Sequence, residues 1–254
     1  MFKRMSEKPG PYLRFCVIVF YPLISLAWRR RWIGSDRIPR RGPAILAINH
    51  ISYADPFVIA RLLWDIGRLP RFLAKSTIFH VPVIGRVVAN AGQIPVYRGT
   101  ADAAAALQGA VQALERGEIV LIYPEGTVTR DPDFWPMQAK SGTARLALLA
   151  PDVPVIPVGQ WGSQEFLDFY ARRFRPLPRK TVTVAVGAPL DLSRYRGRPP
   201  TAALLHEMTD EIMGAVTAQV AVIRGQNPPA VAYPSPWVGS AEQGMDRQSR
   251  GESA

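Results

Sequence analysis

At 254 residues, 48% of them hydrophobic and 9% aromatic, the chain has material for one α/β domain with a large buried core, which excludes wholesale disorder. A single cysteine, Cys16, excludes a disulfide framework and any multi-thiolate metal site, and three scattered histidines (His50, His80, His206) lack ligand spacing, so no metal is expected. The net charge of +11 is concentrated at the N-terminus, where residues 1–41 hold ten Lys/Arg and two Asp/Glu, and it points to an anionic partner.

The first 36 residues read as a membrane-associating helical segment. Its uncharged run of 14 residues, Phe15–Trp28, is followed at once by Arg29-Arg30-Arg31-Trp32. As a helix it would span roughly 21 Å, short of a hydrocarbon core of roughly 30 Å. Pro22 would kink it, and the three arginines stand where a signal peptide would offer a small-residue cleavage site. Basic residues around an apolar segment edged by Tyr and Trp suit an anionic membrane surface on the cytoplasmic face of the cell membrane. A buried N-terminal helix is the alternative. Nucleic acid is set aside as a partner, because the cations surround an apolar segment instead of interleaving with exposed aromatics.

After this segment, short apolar runs alternate with helical patterns. Ala44–Asn49 reads as a strand, and Asp55–Trp64 as a helix with Asp55 at its N-cap and Pro56 at its first position. Arg71–Ala74, Gln93–Val96, Ile119–Tyr123, Val153–Val158 and Thr181–Val186 read as further strands. Ala101–Arg116 reads as a helix closed by Gly117, Gly142–Ala150 as one stopped by Pro151, and Thr201–Val222 as a long final helix. Strands of four to six apolar residues between helices imply an α/β fold, a mainly parallel sheet flanked by helices over residues 37–223. Residues 224–254, rich in Pro, Gly, Ser and Gln, read as a disordered tail.

Ligands of such sheets gather beyond the carboxyl ends of the strands, where three polar groups are expected to converge. His50 follows one strand with Asp55 five residues on. An imidazole can take a proton near neutrality, and a carboxylate can fix its tautomer and support its charged form. Arg98 follows a second strand and presents a planar fork of donors suited to a phosphate. Tyr123-Pro124-Glu125-Gly126-Thr127 follows a third, where backbone amides and a carboxylate can meet a polar headgroup. Each has a plain structural reading as well: a helix cap, a surface ion pair, an ordinary turn.

Together these residues resemble a known family. Asn49–Pro56 is similar to the Asn-His-x4-Asp motif of the glycerolipid acyltransferases, and Gly92–Arg98 to their second block. Tyr123–Thr127 resembles their Phe-Pro-Glu-Gly-Thr block, and Val153–Val158 their apolar Val-Pro-Ile-x-Pro-Val block. Lys75, Pro82 and Gly85 fall between the first two, and Lys140-Ser141-Gly142 after the third. Any one block is weak, but four in order over about residues 40–160 are specific. The class resembled most is the 1-acyl-glycerol-3-phosphate (lysophosphatidate) acyltransferase, which makes phosphatidate. Tyr123 replaces the usual Phe, and Pro95-Val96-Tyr97 precedes Arg98 where members vary, which leaves the acceptor open.

The resemblance implies a glycerol-3-phosphate acyltransferase-like fold, an acyl thioester donor (acyl-CoA or acyl-carrier protein), a membrane lysophospholipid acceptor and no cofactor. It casts His50 as general base and Asp55 as its orienting carboxylate. Arg98 is the candidate for the acceptor phosphate, supported by Glu125, Gly126 and Thr127. Lys75 and Lys140 could meet phosphates of either substrate, or be solvated surface charges. The acceptor hydroxyl is itself the nucleophile, so neither Ser52, which lacks a Gly-x-Ser-x-Gly elbow, nor Cys16 is expected to carry the acyl group. Two alternatives stand: an enzyme of this fold using glycerol-3-phosphate, another lysophospholipid or a glycolipid, and a non-catalytic membrane lipid-binding protein.

Overall fold

Ala44–Ile48 is an unbroken apolar run, and all five residues are buried at the middle of a sheet. The computed structural model describes residues 5–7, 9–82, 84–96, 100–171 and 173–236. In chain order they form α1 (Pro11–Ala27), β1 (Trp28–Ile33), β2 (Ala44–Ile48), α2 (Asp55–Ile66), β3 (Pro70–Lys75), α3 (Ser76–Phe79), α4 (Ile84–Asn90), β4 (Ile94–Val96), α5 (Thr100–Glu115) and β5 (Ile119–Ile122). There follow α6 (Gly142–Leu149), β6 (Val155–Trp161), α7 (Ser163–Phe166), β7 (Leu167–Asp168), β8 (Arg173–Phe174), β9 (Lys180–Val186) and α8 (Ala202–Arg224).

Seven strands make one sheet in the order β1-β9-β6-β2-β5-β3-β4. The five from β6 to β4 run parallel. β9 is antiparallel to β6, and β1 is parallel to β9. Alternation along the strands sorts the core into two layers. Ala44, Leu46, Ile48, Ile119 and Leu121 pack with Val58, Ile59, Leu62 and Leu63 of α2. Ile45, Ala47, Val120 and Ile122 face Ala110 and Leu114 of α5, Leu146 of α6, and Leu205, Met208 and Ile212 of α8. Fully burying one such Leu or Ile contributes about 1.5–3 kcal/mol.

The sheet is mainly parallel and flanked by helices, as the alternation of runs implies. One strand is new. Trp28–Ile33 carries the arginine triplet that reads as the flank of a membrane segment, yet it pairs with β9 from Trp28↔Lys180 to Ile33↔Ala185. Charged side chains on an edge strand block further strand pairing, so three arginines are well placed there.

α1 precedes it and contains Pro22. Among the described residues no helix is long and apolar enough to cross a membrane. α1 exposes Phe15, Ile18, Val19, Pro22 and Leu26, which fall on one stripe, and turns Tyr21 and Ser25 inward. There Asp65 of α2 accepts from Tyr21 Oη at 3.1 Å, Trp32 Nε1 at 3.1 Å, Arg61 Nε at 3.2 Å and Arg30 Nη1 at 3.3 Å. The buried Arg61 guanidinium lies 3.4 Å over the Tyr21 ring and donates to Ser25 Oγ. A polar cluster therefore fastens α1 to α2.

At the other end Gly225, with φ 62°, stops α8. Residues 225–236, whose composition reads as disordered, run back along the 131–140 loop. There the Gln138 amide donates to Tyr233 O at 2.9 Å, and Ser235 is buried.

Candidate active site

β6, β2 and β5 are adjacent and parallel, so their carboxyl ends share one edge of the sheet. Asn49 leaves β2 beside Gln160 of β6, and the two clamp each other. Gln160 N donates to Asn49 Oδ1 at 2.8 Å, Asn49 Nδ2 to Gln160 O at 3.1 Å, and Gln160 Nε2 to Asn49 O at 2.8 Å. Both residues are buried, so each bond satisfies a group that would be costly to leave unpaired. The clamp fixes the chain direction one residue before His50.

The imidazole Nδ1 of His50 lies 2.8 Å from Oδ2 of Asp55. That oxygen also accepts from the amides of Ile51 at 2.7 Å and Ser52 at 2.9 Å, and Oδ1 accepts from the Ser163 hydroxyl. Asp55 is not the cap of α2. Ala54 holds that position, and the Asp55 side chain bends back over the preceding turn instead. A fully buried carboxylate facing only donors requires Nδ1 to donate as well, which leaves Nε2 as the basic nitrogen. The ring stacks on Tyr123, centroids 4.3 Å apart and planes 22° apart, and its side chain keeps 13% exposure. The Tyr123 phenol, buried beside Asp55, is pushed well above its ordinary range and stays neutral.

The loop after β5 holds the backbone of His50 from the other side. The His50 amide donates to Glu125 Oε1 at 2.8 Å, and its carbonyl accepts from the Thr129 amide at 2.7 Å. Glu125 Oε2 accepts from the Met137 amide at 3.1 Å. Glu125 is fully buried, and desolvation raises its pKa to about 8 even though the two amide bonds favour the anion. Gly126 sits at φ 71° with the Lys140 side chain drawn across it, and the Lys140 amide donates to Pro124 O at 3.0 Å. Thr127 is half-buried. Lys75 is exposed at the end of β3, on the same edge of the sheet. Arg98 lies outside the described residues, as does the side chain of Cys16. Among the described residues no group of three or more His, Cys, Asp or Glu could hold a metal ion.

The Acyltransferase family model matches residues 29–161, from the first strand of the sheet to the end of β6. The chain belongs to the Acyltransferase family. It is 28% identical over 136 residues to a chloroplastic 1-acyl-sn-glycerol-3-phosphate acyltransferase of Brassica napus, covering 53% of this chain and 38% of that one. It is 34% identical over 95 residues to the lyso-ornithine lipid O-acyltransferase of Pseudomonas aeruginosa, covering 37% and 34%. The chain thus spans little more than a third of the length of either relative. The crystal structure of the 1-acyl-sn-glycerophosphate acyltransferase of Thermotoga maritima superposes with a TM-score of 0.60 at 21% identity, over 85% of this chain and 81% of that one, and so shares its fold.

In this member of the Acyltransferase family, several residues that build the site escape sequence reading. Gln160 was detectable in principle, as an uncharged polar residue inside the buried run of β6. Ser163 gives no signal, because only the fold carries it to Asp55 across 108 positions. The same holds for Arg224, the last residue of α8, whose guanidinium lies 4.1 Å over the Trp135 ring and 4.3 Å over Trp161. Ser52, set aside as a nucleophile, is buried and donates to Leu167 O at 2.7 Å.

Proposed function

We propose that this protein transfers a fatty acyl group from an acyl thioester to the free hydroxyl of a lysophospholipid, with 1-acyl-glycerol-3-phosphate as the acceptor and phosphatidate as the product. The observation that carries this reading is the His50–Asp55 pair, oriented from both sides at the ligand edge of the sheet. In the reaction the acceptor oxygen attacks the thioester carbonyl as Nε2 of His50 takes its proton. The tetrahedral carbon then expels the thiolate, and the same nitrogen returns the proton to sulfur. Asp55 stabilises the imidazolium in between, and no enzyme-bound acyl group forms. General-base help of this kind accelerates a reaction by about 10²–10⁴.

Arg98, Gly126, Thr127, Lys75 and Lys140 are assigned to substrate phosphates, from acyl-CoA or acyl-carrier protein on one side and the acceptor on the other. Glu125 serves that loop as a brace. The exposed stripe of α1 rests on an anionic membrane surface at the cytoplasmic face, where both acceptor and product reside.

The test is thiol release from acyl-CoA and acyl-carrier protein with a panel of acceptors that includes lysophosphatidate and lyso-ornithine lipid. Acceptor-dependent release that falls by about 10²–10⁴ in kcat on His50→Ala is expected. Arg98→Ala is expected to act on acceptor KM. Release unchanged by His50→Ala overturns the mechanism. Vesicle binding with no release from any pair identifies a lipid-binding protein instead, and release with lyso-ornithine lipid alone reassigns the acceptor.

A further inference from the structure

The segment from β7 to β9 does no work in the reaction above, yet its chemistry is unlike a solvated loop. From Tyr170 through Lys180 the sequence holds five cations and no anion. β7 and β8 pair Leu167 with Phe174 and Asp168 with Arg173, which makes the segment a hairpin. Phe174 is 62% exposed and Leu177 is 77% exposed, and Arg173 and Arg175, flanking Phe174, are exposed as well.

Two contacts place this hairpin. Phe174 packs edge-on to Phe166 at 4.9 Å, and Phe166 edge-on to Trp28 at 5.1 Å. Arg179 Nη2 donates to Ser25 O at 2.7 Å and Trp28 O at 2.9 Å, so the hairpin is tied to the end of α1 beside the exposed Leu26. Its base lies at the site. Leu167 O accepts from Ser52, and Phe169 packs on Tyr53, whose ring lies 6.5 Å from that of His50.

We infer that the hairpin of residues 167–179 is a second membrane-docking element, which sets Phe174 and Leu177 among the acyl chains of an anionic bilayer and Arg173 and Arg175 against its phosphates. Large apolar side chains alternating with arginines match the layering of a bilayer, an apolar interior under a charged interface. An acidic carrier protein would satisfy the arginines but leave Phe174 and Leu177 against a polar surface. The hairpin's nearness to His50 adds a route for the acceptor from the lipid to the imidazole. That last point rests on the acyltransfer reading; the docking does not.

The experiment uses the full chain and sedimentation with phosphatidylcholine vesicles, with and without phosphatidylglycerol. Phe174→Ser with Leu177→Ser is expected to weaken binding to both vesicle types about tenfold or more. Arg173→Gln with Arg175→Gln is expected to abolish the preference for anionic vesicles. Turnover of a short-chain monomeric acceptor stays within about twofold of the parent for both pairs, which also certifies their folds. Unchanged partitioning of both pairs overturns the inference. So does an arginine pair that raises KM for acyl-carrier protein while binding vesicles normally, since the surface is then a protein dock. If no acceptor turns over, the acyltransfer reading fails, while circular dichroism melts certify the folds and the sedimentation result still decides the docking.

Discussion

Asp55 receives four donors, and only one of them is the imidazole. Two backbone amides hold Oδ2 on the His50 side, and among the described residues Ser163 alone engages Oδ1, so Ser163 decides how the carboxylate is rotated about its bond. A hydrogen bond to a charged group contributes about 1.5–3 kcal/mol, which makes Ser163→Ala an expected loss of roughly tenfold to a hundredfold in kcat/KM. Ser163→Thr, which keeps the hydroxyl, is expected to restore kcat/KM. Glu125 makes a different prediction. Folded, it keeps its proton up to about pH 8, whereas its ordinary pKa is 4.5. The folded state then binds one more proton than the unfolded state over that interval, so stability falls as pH rises through it and levels off above. The slope reaches at most about 1.4 kcal/mol per pH unit. Urea denaturation across the interval is expected to show this decline in the parent and a flatter profile in Glu125→Gln. At this scale the sequence is readable where partners are neighbours. His50 and Asp55 sit within one turn and share an edge, whereas Ser163 and Gln160 reach the same point only through the crossover to β6.

Elements are legible to the extent that their apolar period is clean. β2 and β5, buried on both faces, and α2, with one apolar stripe, announce themselves. β1 does not, because an edge strand exposes charges that elsewhere mark a flank or a loop. The turn from β6 into α7 is hidden for another reason: it depends on a missing side chain. Gly162 has φ 100°, and a Cβ there would lie 2.1 Å from Thr181 O. Gly162→Ala therefore combines left-handed strain with a backbone clash. The expected cost is at least about 2–3 kcal/mol in chemical denaturation. Because the turn delivers Ser163, kcat is expected to fall alongside stability, and full activity in a stably folded Gly162→Ala protein would show that the turn does not set the Asp55 carboxylate.

For the molecule as a whole, the last helix and the described residues after it close against the loop that braces the site. α8 crosses the sheet and ends with Arg224 between Trp135 and Trp161, which locks the 131–137 loop whose Met137 amide holds Glu125. A cation–π contact contributes about 0.5–2 kcal/mol. Arg224→Ala is expected to raise amide exchange in that loop roughly tenfold while leaving the β2 and β5 amides protected, a pattern that hydrogen exchange resolves directly. No pattern of residues 224–236 discloses this closure, since Pro and Ser are as compatible with a packed return as with disorder.

The polar cluster around Asp65 has a consequence for geometry. α1 is bolted through Tyr21 and Ser25 to the helix that begins at Asp55, so the first helix and the imidazole belong to one stiff lever. On the proposed reading, the depth at which that helix floats dictates the height of the proton acceptor above the lipid, and hydroxyls carried too high or too low are refused by altitude before any contact is made.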